Sequence, residues 1–363
     1  MQISIVRTWD LGSTEITAWH DMQRQTPALA NPFLSPEFAM AVGKVRPEAR
    51  VAVLADGAEL SGFFPFERRR SGVGVPVGAG LTDCQGLVHS PGAQWDPREL
   101  LRACGVSVWR FDHLVAGQRP FERYATATAA SPVIDLTDGF AAYSDRLRAR
   151  SPQVDRDVAR KSRKLEREVG ELRFVPDSRD LSDLRSLMGW KSDQYRRTGR
   201  RDRFDQPWIV DLVEDLLSSH GGAFSGLLSM LYVADKPAAG HFGVRYGDVL
   251  GHWFPAYDSS LGRYSPGMIQ HLRMIEESAA LGVRSIDLGK GAKRYKEQLK
   301  SYDLTVAEGI VTGSSARAAV HRAAHGPARW AVRQIRAHRG LFAAADQVLK
   351  RYGRLRVALK PAR

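Results

Sequence analysis

Residues 226–254 constrain the fold of this chain more than any other stretch. They hold three runs of strand-type residues, Gly226–Ala234, Ala238–Arg245 and Val249–Phe254, separated by Asp235-Lys236-Pro237 and Tyr246-Gly247-Asp248. Asp, Gly and Pro in links this short specify hairpin turns, so the three strands are predicted to form an antiparallel meander. Leu181–Arg197 and Pro207–His220, just before it, carry helical periodicity. Helices set apart from antiparallel strands in this way imply an α+β layer fold.

The third strand runs into the best-punctuated segment of the sequence, Leu250 to Lys296. Asp258, Ser259, Ser260 and Gly262 make a turn-rich loop, and Ser265-Pro266-Gly267 stands directly before a helical pattern. Ser is a favoured N-cap, Pro is pre-set for the first helical position, and Gly lets another group approach the backbone. Met268, Ile269, Leu272, Ile275, Ala279 and Ala280 then recur at helical spacing, Leu281-Gly282 ends the helix, and Ser285–Leu288 is a second short strand. A Ser-Pro start is first of all a cap. It also leaves N–H groups at the positive end of a helix dipole, a site suited to phosphate or pyrophosphate. Neither nucleotide fingerprint is present: there is no glycine loop ending in Gly-Lys-Ser/Thr, and no Gly-x-Gly-x-x-Gly with a later acidic partner.

A length of 363 residues allows two domains and an appendage. The first unit, 1–130, is expected to contain a strand at Ile3–Arg7 and helices starting at Ser13 and at Ser35-Pro36. A hairpin of Arg50–Leu54 and Glu59–Phe66 follows, then a glycine-rich run, a helix at Pro97–Ala103, and strands at Val106–Leu114 and Arg123–Thr128. Pro132–Leu136 opens the second unit, 131–312, which continues through a highly charged helical stretch from about Phe140 to Val169 and ends on a strand at Asp303–Val311. The arginines and lysines of that stretch suit either a solvated face held by i,i+4 pairs such as Asp157–Lys161 or a positive rim for an anionic ligand.

The net charge of +13 needs locating before it is interpreted. From Gly313 onward twelve Lys or Arg face one acid, Asp346, which leaves 41 bases against 39 acids in the first 312 residues. The body is nearly neutral, which argues against a general nucleic-acid-binding role. The tail, 313–363, interleaves its arginines with Trp330, Leu341, Phe342 and Tyr352, a pattern that fits basic amphipathic helices. Such helices suit an anionic membrane face, an acidic polymer or a partner protein, or they pack on the body. Cys84 and Cys104 form neither a disulfide framework nor a metal set, Met1–Gly12 is not a secretory signal, and no apolar run is long enough to span a membrane. A cytoplasmic location is the expectation.

Several of these residues resemble a known family. Trp253…Ala256-Tyr257-Asp258, Tyr264-Ser265-Pro266-Gly267 and Asp287-Leu288-Gly289…Tyr295-Lys296 look like the CelD-type (cellulose-biosynthesis-like) branch of the GNAT N-acetyltransferases. Asn31-Pro32-Phe33-Leu34-Ser35-Pro36-Glu37-Phe38, Gly62–Phe66 and Asp83-Cys84-Gln85-Gly86-Leu87 resemble its N-terminal signatures. The layout is similar to that of the FemABX aminoacyltransferases, which carry two GNAT-like domains in tandem. The resemblance covers residues 1–312. It implies two tandem GNAT-like domains, a cytoplasmic acyltransferase that uses acetyl-CoA or another acyl-CoA as co-substrate, and no metal. It sets the coenzyme A pyrophosphate against Gly262, Arg263, Tyr264, Ser265, Pro266, Gly267 and Met268, and the pantetheine arm beside Trp253, Phe254, Pro255 and Ala256. The family's usual Gln/Arg-x-x-Gly-x-Gly/Ala form is replaced here by Arg263 followed by Tyr-Ser-Pro-Gly. The first domain is expected to shape the acceptor site without binding cofactor. The family context suggests an amine or hydroxyl acceptor in exopolysaccharide or envelope glycan synthesis, with peripheral attachment at the inner membrane. Two alternatives stand beside it: FemABX-like transfer from aminoacyl-tRNA, and a non-catalytic assembly protein.

Acyl transfer requires a base for the nucleophile, a donor to the developing oxyanion and an acid for the leaving thiolate. Asp287, Tyr295, Lys296 and His252 are the candidates. Asp287 suits a base, a substrate-positioning group, or an anchor for the Gly289-Lys290-Gly291 loop. Tyr295 suits an acid for thiolate, and Lys296 a site for negative charge. His241 and His252 lie on adjacent strands and either face one cleft or are satisfied structural groups. Asp83 and Gln85 line the cleft between domains or form a tight turn. No Ser/His/Asp or Cys/His arrangement stands out, so direct attack on the thioester is expected.

Overall fold

The computed structural model describes residues 1–70 and 72–313. Its strands are β1 (Gln2–Arg7), β2 (Ala49–Asp56), β3 (Glu59–Arg68), β4 (Val73–Pro76), β5 (Val88–His89), β6 (Val108–Leu114), β7 (Ala125–Asp135), β8 (Leu172–Val175), β9 (Phe224–Val233), β10 (Lys236–Tyr246), β11 (Val249–Tyr257), β12 (Ser285–Asp287) and β13 (Tyr302–Thr312). The helices are α1 (Ser13–Gln25), α2 (Pro36–Val45), α3 (Pro97–Ala103), α4 (Arg119–Glu122), α5 (Gly139–Arg150), α6 (Pro152–Glu168), α7 (Leu181–Arg197), α8 (Pro207–Ser218), α9 (Pro266–Ala280) and α10 (Arg294–Leu299).

The predicted meander forms as β9, β10 and β11, all antiparallel. Ala234 and Asp235 adopt positive φ at the first of its turns, matching the tight link between two twisted strands. All strands belong to one sheet in the order β1-β2-β3-β4-β6-β13-β7-β12-β11-β10-β9-β8, with β5 on β3. Two units are visible in it, but they are interlocked. The strands expected at Arg123–Thr128 and Pro132–Leu136 are one strand, β7, so the 130/131 division falls inside a continuous element. Strand β7 pairs with β12 on one side and β13 on the other, and β13 also pairs with β6 of the first unit.

Runs such as Val51-Ala52-Val53-Leu54 are apolar at every position because both faces of the sheet are covered. Val51 and Val53 join a core that α1, α2, α7 and α8 share with β9–β11, while Ala52 and Leu54 join a second core under α3 and α4. The first of these cores crosses from one unit to the other, taking in Trp19, Phe38 and Phe63 together with Leu187, Phe242 and Trp253. Burying such side chains is worth about 1.5–3 kcal/mol each, which fixes the two units to one another. On the opposite face of the second unit, α5 and α9 cover β7 and β12.

The single charged helix expected from about Phe140 to Val169 is two helices, broken at Ser151-Pro152 where proline cannot donate to the preceding turn. Lys161 is not paired with Asp157, which holds Arg160 instead. The short helix α10 was not legible in the sequence. The helices expected in the tail lie outside the described residues.

Candidate functional site

Strands β11 and β12 are parallel but pair for only three residues, Val249, Leu250 and Gly251 against Ser285, Ile286 and Asp287. Beyond Gly251 strand β11 keeps its partner β10 as far as Tyr257, while β12 gives way to the Gly289 loop and α10. The strands therefore splay. A cleft of about 1050 Å³ opens there and runs from the start of α9, at Gly262, Ser265, Gly267 and Met268, past Phe254, Pro255 and Ala256 to His252, Tyr295 and Lys296. Asp83 and Leu81 bring the first unit into its wall.

The start of α9 differs from the predicted cap. Ser265 has left-handed backbone angles, φ 53° and ψ 50°, and its side chain caps nothing. Its hydroxyl accepts a 2.5 Å hydrogen bond from Lys161 Nζ on α6, and its carbonyl accepts from the Met268 amide. The helix thus starts on Pro266, which has no N–H, and Gly267, where a Cβ would lie 3.1 Å from the Tyr257 ring. Arg263, Tyr264 and Pro266 are not in the cleft wall: Tyr264 is buried, donates to Glu168 at 3.0 Å, and carries the Arg263 guanidinium over its ring.

At the inner end, buried Asp287 accepts from Ser131 Oγ (2.9 Å), Asn31 Nδ2 (3.3 Å) and the Gly289 amide (2.9 Å). Burial raises its carboxyl pKa against these donors. It faces the Gly289 loop and not the cleft, and Asn31, from the first unit, completes its shell. Lys296 Nζ donates to the carbonyls of Gly289 (2.8 Å) and Lys290 (3.3 Å), and burial lowers its pKa to about 8. The Tyr295 phenol is held protonated, its pKa pushed up by burial.

The histidines do not share one cleft. His252 lines it, whereas His241 faces a small cavity bounded by Ser229 and Ser278. Their rings stack at 4.2 Å, His271 meets His252 edge-on at 5.1 Å, and Tyr295 lies 4.8 Å from His271. Burial pushes all three imidazole pKa values down, that of His271 to about 3, so the group is neutral. Nε2 of both His241 and His252 is buried without a hydrogen-bond partner among the described residues.

Two groups escaped sequence analysis. Lys191 of α7 is 4% exposed, donates to the Pro255 carbonyl at 2.8 Å, and has its pKa lowered by burial to about 7. Its signal was present: Leu184, Leu187, Lys191 and Tyr195 form one stripe, so a lysine occupies a core-facing position. The second is a relay behind Asp83. His113 Nε2 lies 3.3 Å from the Asp83 carboxylate, and His113 Nδ1 lies 2.9 Å from Asp112. Burial raises the Asp83 pKa, with His113 opposing. A Cβ at Gly289, where φ is 73°, would collide with Asp83, so the two units touch through a glycine. No cluster of three or more potential metal ligands exists among the described residues.

Residues 152–297 match the Acetyltransferase (GNAT) domain family. No curated protein matches the sequence. Among solved structures, the C-terminal domain of a protein named as a lysylphosphatidylglycerol synthetase from Agrobacterium fabrum superposes with a TM-score of 0.51 at 13% identity, covering 86% of this chain and 96% of that one. FemX superposes at 0.50 and 8% identity, over 80% of this chain and 94% of its own. A tandem GNAT protein from the clavulanic acid biosynthesis pathway gives 0.48 at 11% identity, over 86% and 99%. The fold is the mixed α/β architecture of GNAT proteins, and residues 152–297 are similar to an acetyltransferase-type domain. Among the described residues no helix is long and apolar enough to cross a membrane.

Proposed function

We propose that this chain is an acyl-CoA-dependent acyltransferase, with acetyl-CoA as the first donor to test, that modifies an amine or hydroxyl acceptor in a site built by both halves. The observation that carries the reading is the splay of β11 from β12 beside the start of α9. The residues fit such a donor. Gly267 and Ser265 offer backbone at the positive end of a 15-residue helix, Lys161 stands at Ser265, and the apolar Phe254–Ala256 wall suits a pantetheine arm. When bound, the donor supplies a thioester.

The remaining chemistry belongs to the chain. Asp83, the one carboxylate in the cleft wall among the described residues, takes the proton of the attacking amine or hydroxyl, with His113 and Asp112 behind it. Lys296, an ammonium below about pH 8, offers positive charge to the carbonyl oxygen as the new C–N or C–O bond forms. As the C–S bond breaks, the Tyr295 phenol returns a proton to the sulfur. Asp287 holds the Gly289 loop that orients Lys296. The CelD-type resemblance supports an acceptor from exopolysaccharide or envelope glycan synthesis, and a cytoplasmic or membrane-peripheral site of action.

Titration calorimetry with acetyl-CoA tests the reading. The wild type is expected to bind. Gly267→Glu, which sets a carboxylate at the helix start and crowds Tyr257, is expected to weaken binding by more than about 100-fold. Unchanged affinity in that variant sinks the proposed site.

A further inference from the structure

Among the described residues the cleft wall carries nine Lys or Arg against the single carboxylate of Asp83, in a body that is almost neutral. Most of these cations have structural work. Arg46 and Arg69 hold buried Glu67, Lys290 pairs with Glu308, and Lys191 and Lys296 hold backbone carbonyls. Arg200, Arg201 and Arg203, on the link between α7 and α8, and Lys293, just before α10, have no such assignment among the described residues. Four cations against one acid is more positive charge than a lone carboxylate ligand would balance.

These residues surround the place where the acceptor must react. Arg203 acts electrostatically on Asp83, Asp83 on Lys293, and Arg200 and Arg203 on the Tyr195 phenol beside Asp83. Burial, then Arg200, drives the Lys293 ammonium pKa down, with Asp83 opposing. At the start of α9, which lines the same cleft, Lys161 adds a further cation beside Ser265. Guanidinium groups grip phosphate oxygens in pairs, a geometry that solvated lysines do not offer. In addition, His252 lines the same cleft, and its buried Nε2 has no hydrogen-bond partner among the described residues.

We infer that the acceptor is a phosphorylated molecule, its phosphate or diphosphate held by Arg200, Arg201, Arg203 and Lys293 and its nucleophile delivered to Asp83. This rests on the acyltransferase reading for its chemistry, but the anion site stands or falls by itself.

The test is titration of inorganic pyrophosphate into protein saturated with coenzyme A, for wild type and for Arg200→Gln/Arg203→Gln. The wild type is expected to bind pyrophosphate with coenzyme A in place. The double variant is expected to lose at least tenfold in pyrophosphate affinity while its coenzyme A affinity stays within twofold, which also reports that it folds. Full competition between the two ligands in the wild type, equal pyrophosphate binding by the variant, or a parallel loss of coenzyme A affinity would each overturn the inference. If coenzyme A does not bind at all, the acyltransferase reading fails, and pyrophosphate titration of the free protein still decides the anion site. Vesicles containing phosphatidylglycerol separate the sources: sedimentation that depends on the two arginines assigns a lipid headgroup, and pyrophosphate binding without sedimentation assigns a soluble phosphate.

Discussion

The two halves of the sheet each contain a parallel pair joined through a helix, and they treat the gap between its strands in opposite ways. In the second half, β11 and β12 part after Gly251 and the gap is the cleft. In the first half, β4 pairs with β6 at Val73 and Gly74 and then leaves it, but the chain fills the gap itself. Gln85 returns to bond the backbone of β6, accepting from Val115 and donating to His113, and its side chain takes the amides of Asp112 and His113. Behind it Trp109 sits among Phe64, Phe111 and Phe121, with ring centroids 4.9–5.0 Å away. The connecting helix α3 is seven residues long against fifteen for α9. One wedge is plugged with aromatic rings and an amide, and the other is lined with lysine and imidazole. The same layout becomes scaffold or site according to what fills the splay.

The sharpest test of this contrast is Asp83→Asn, because Asp83 stands beside the plug and lines the open wedge. Acyl transfer is expected to fall by about 10²–10⁴ with acetyl-CoA affinity intact. In the wild type, activity should decline as pH falls through the raised Asp83 pKa and again above about 8 as Lys296 loses its proton. A full rate in the variant would confine the chemistry to the second half. Trp109→Ala probes the plug. Removing that ring should destabilise the chain by about 3–5 kcal/mol, read by denaturant unfolding. A second coenzyme A bound per chain in this variant would sharpen the contrast, since the plug would then be all that separates the two wedges.

Lys191→Met gives the smallest effect and the opposite sign. The folded pKa near 7 lies below the usual 10.5, so the native state carries the full cost of a buried ammonium below about pH 7 and sheds it as pH rises toward 10. Methionine should therefore stabilise by about 1–2 kcal/mol at pH 6 and progressively less at higher pH, measured by thermal unfolding. A variant less stable than wild type at pH 6 would assign Lys191 to structure.

The meander, the helix behind Ser265 and the layered fold were legible because they rest on local chemistry: short Asp/Gly links, a Pro at the first helical position, and apolar spacing. The site was legible only in outline. Ser265 has the local sequence of a cap, but Lys161, more than a hundred residues upstream, occupies its hydroxyl, and no local rule reaches that far. His241 and His252 are on adjacent strands as expected, yet a register shift between Phe242 and Gly243 accompanies their facing different cavities. Asp83–His113–Asp112 joins a loop to a strand, and Asn31 reaches Asp287 across the unit boundary. Lys191 alone carried a usable signal, a cation in an apolar stripe.

The position of β13 has a consequence for synthesis. It is the last strand of the described chain, yet it lies in the middle of the sheet, with Tyr302 opposite Val133 and Val311 opposite Trp109. While the ribosome is still making residues up to 301, both β6 and β7 expose an unpaired edge, and the first half cannot close before the second is finished. Folding is therefore a late, concerted event with high sequence separation, which predicts slow formation and a nascent chain whose central edges need protection from other strands.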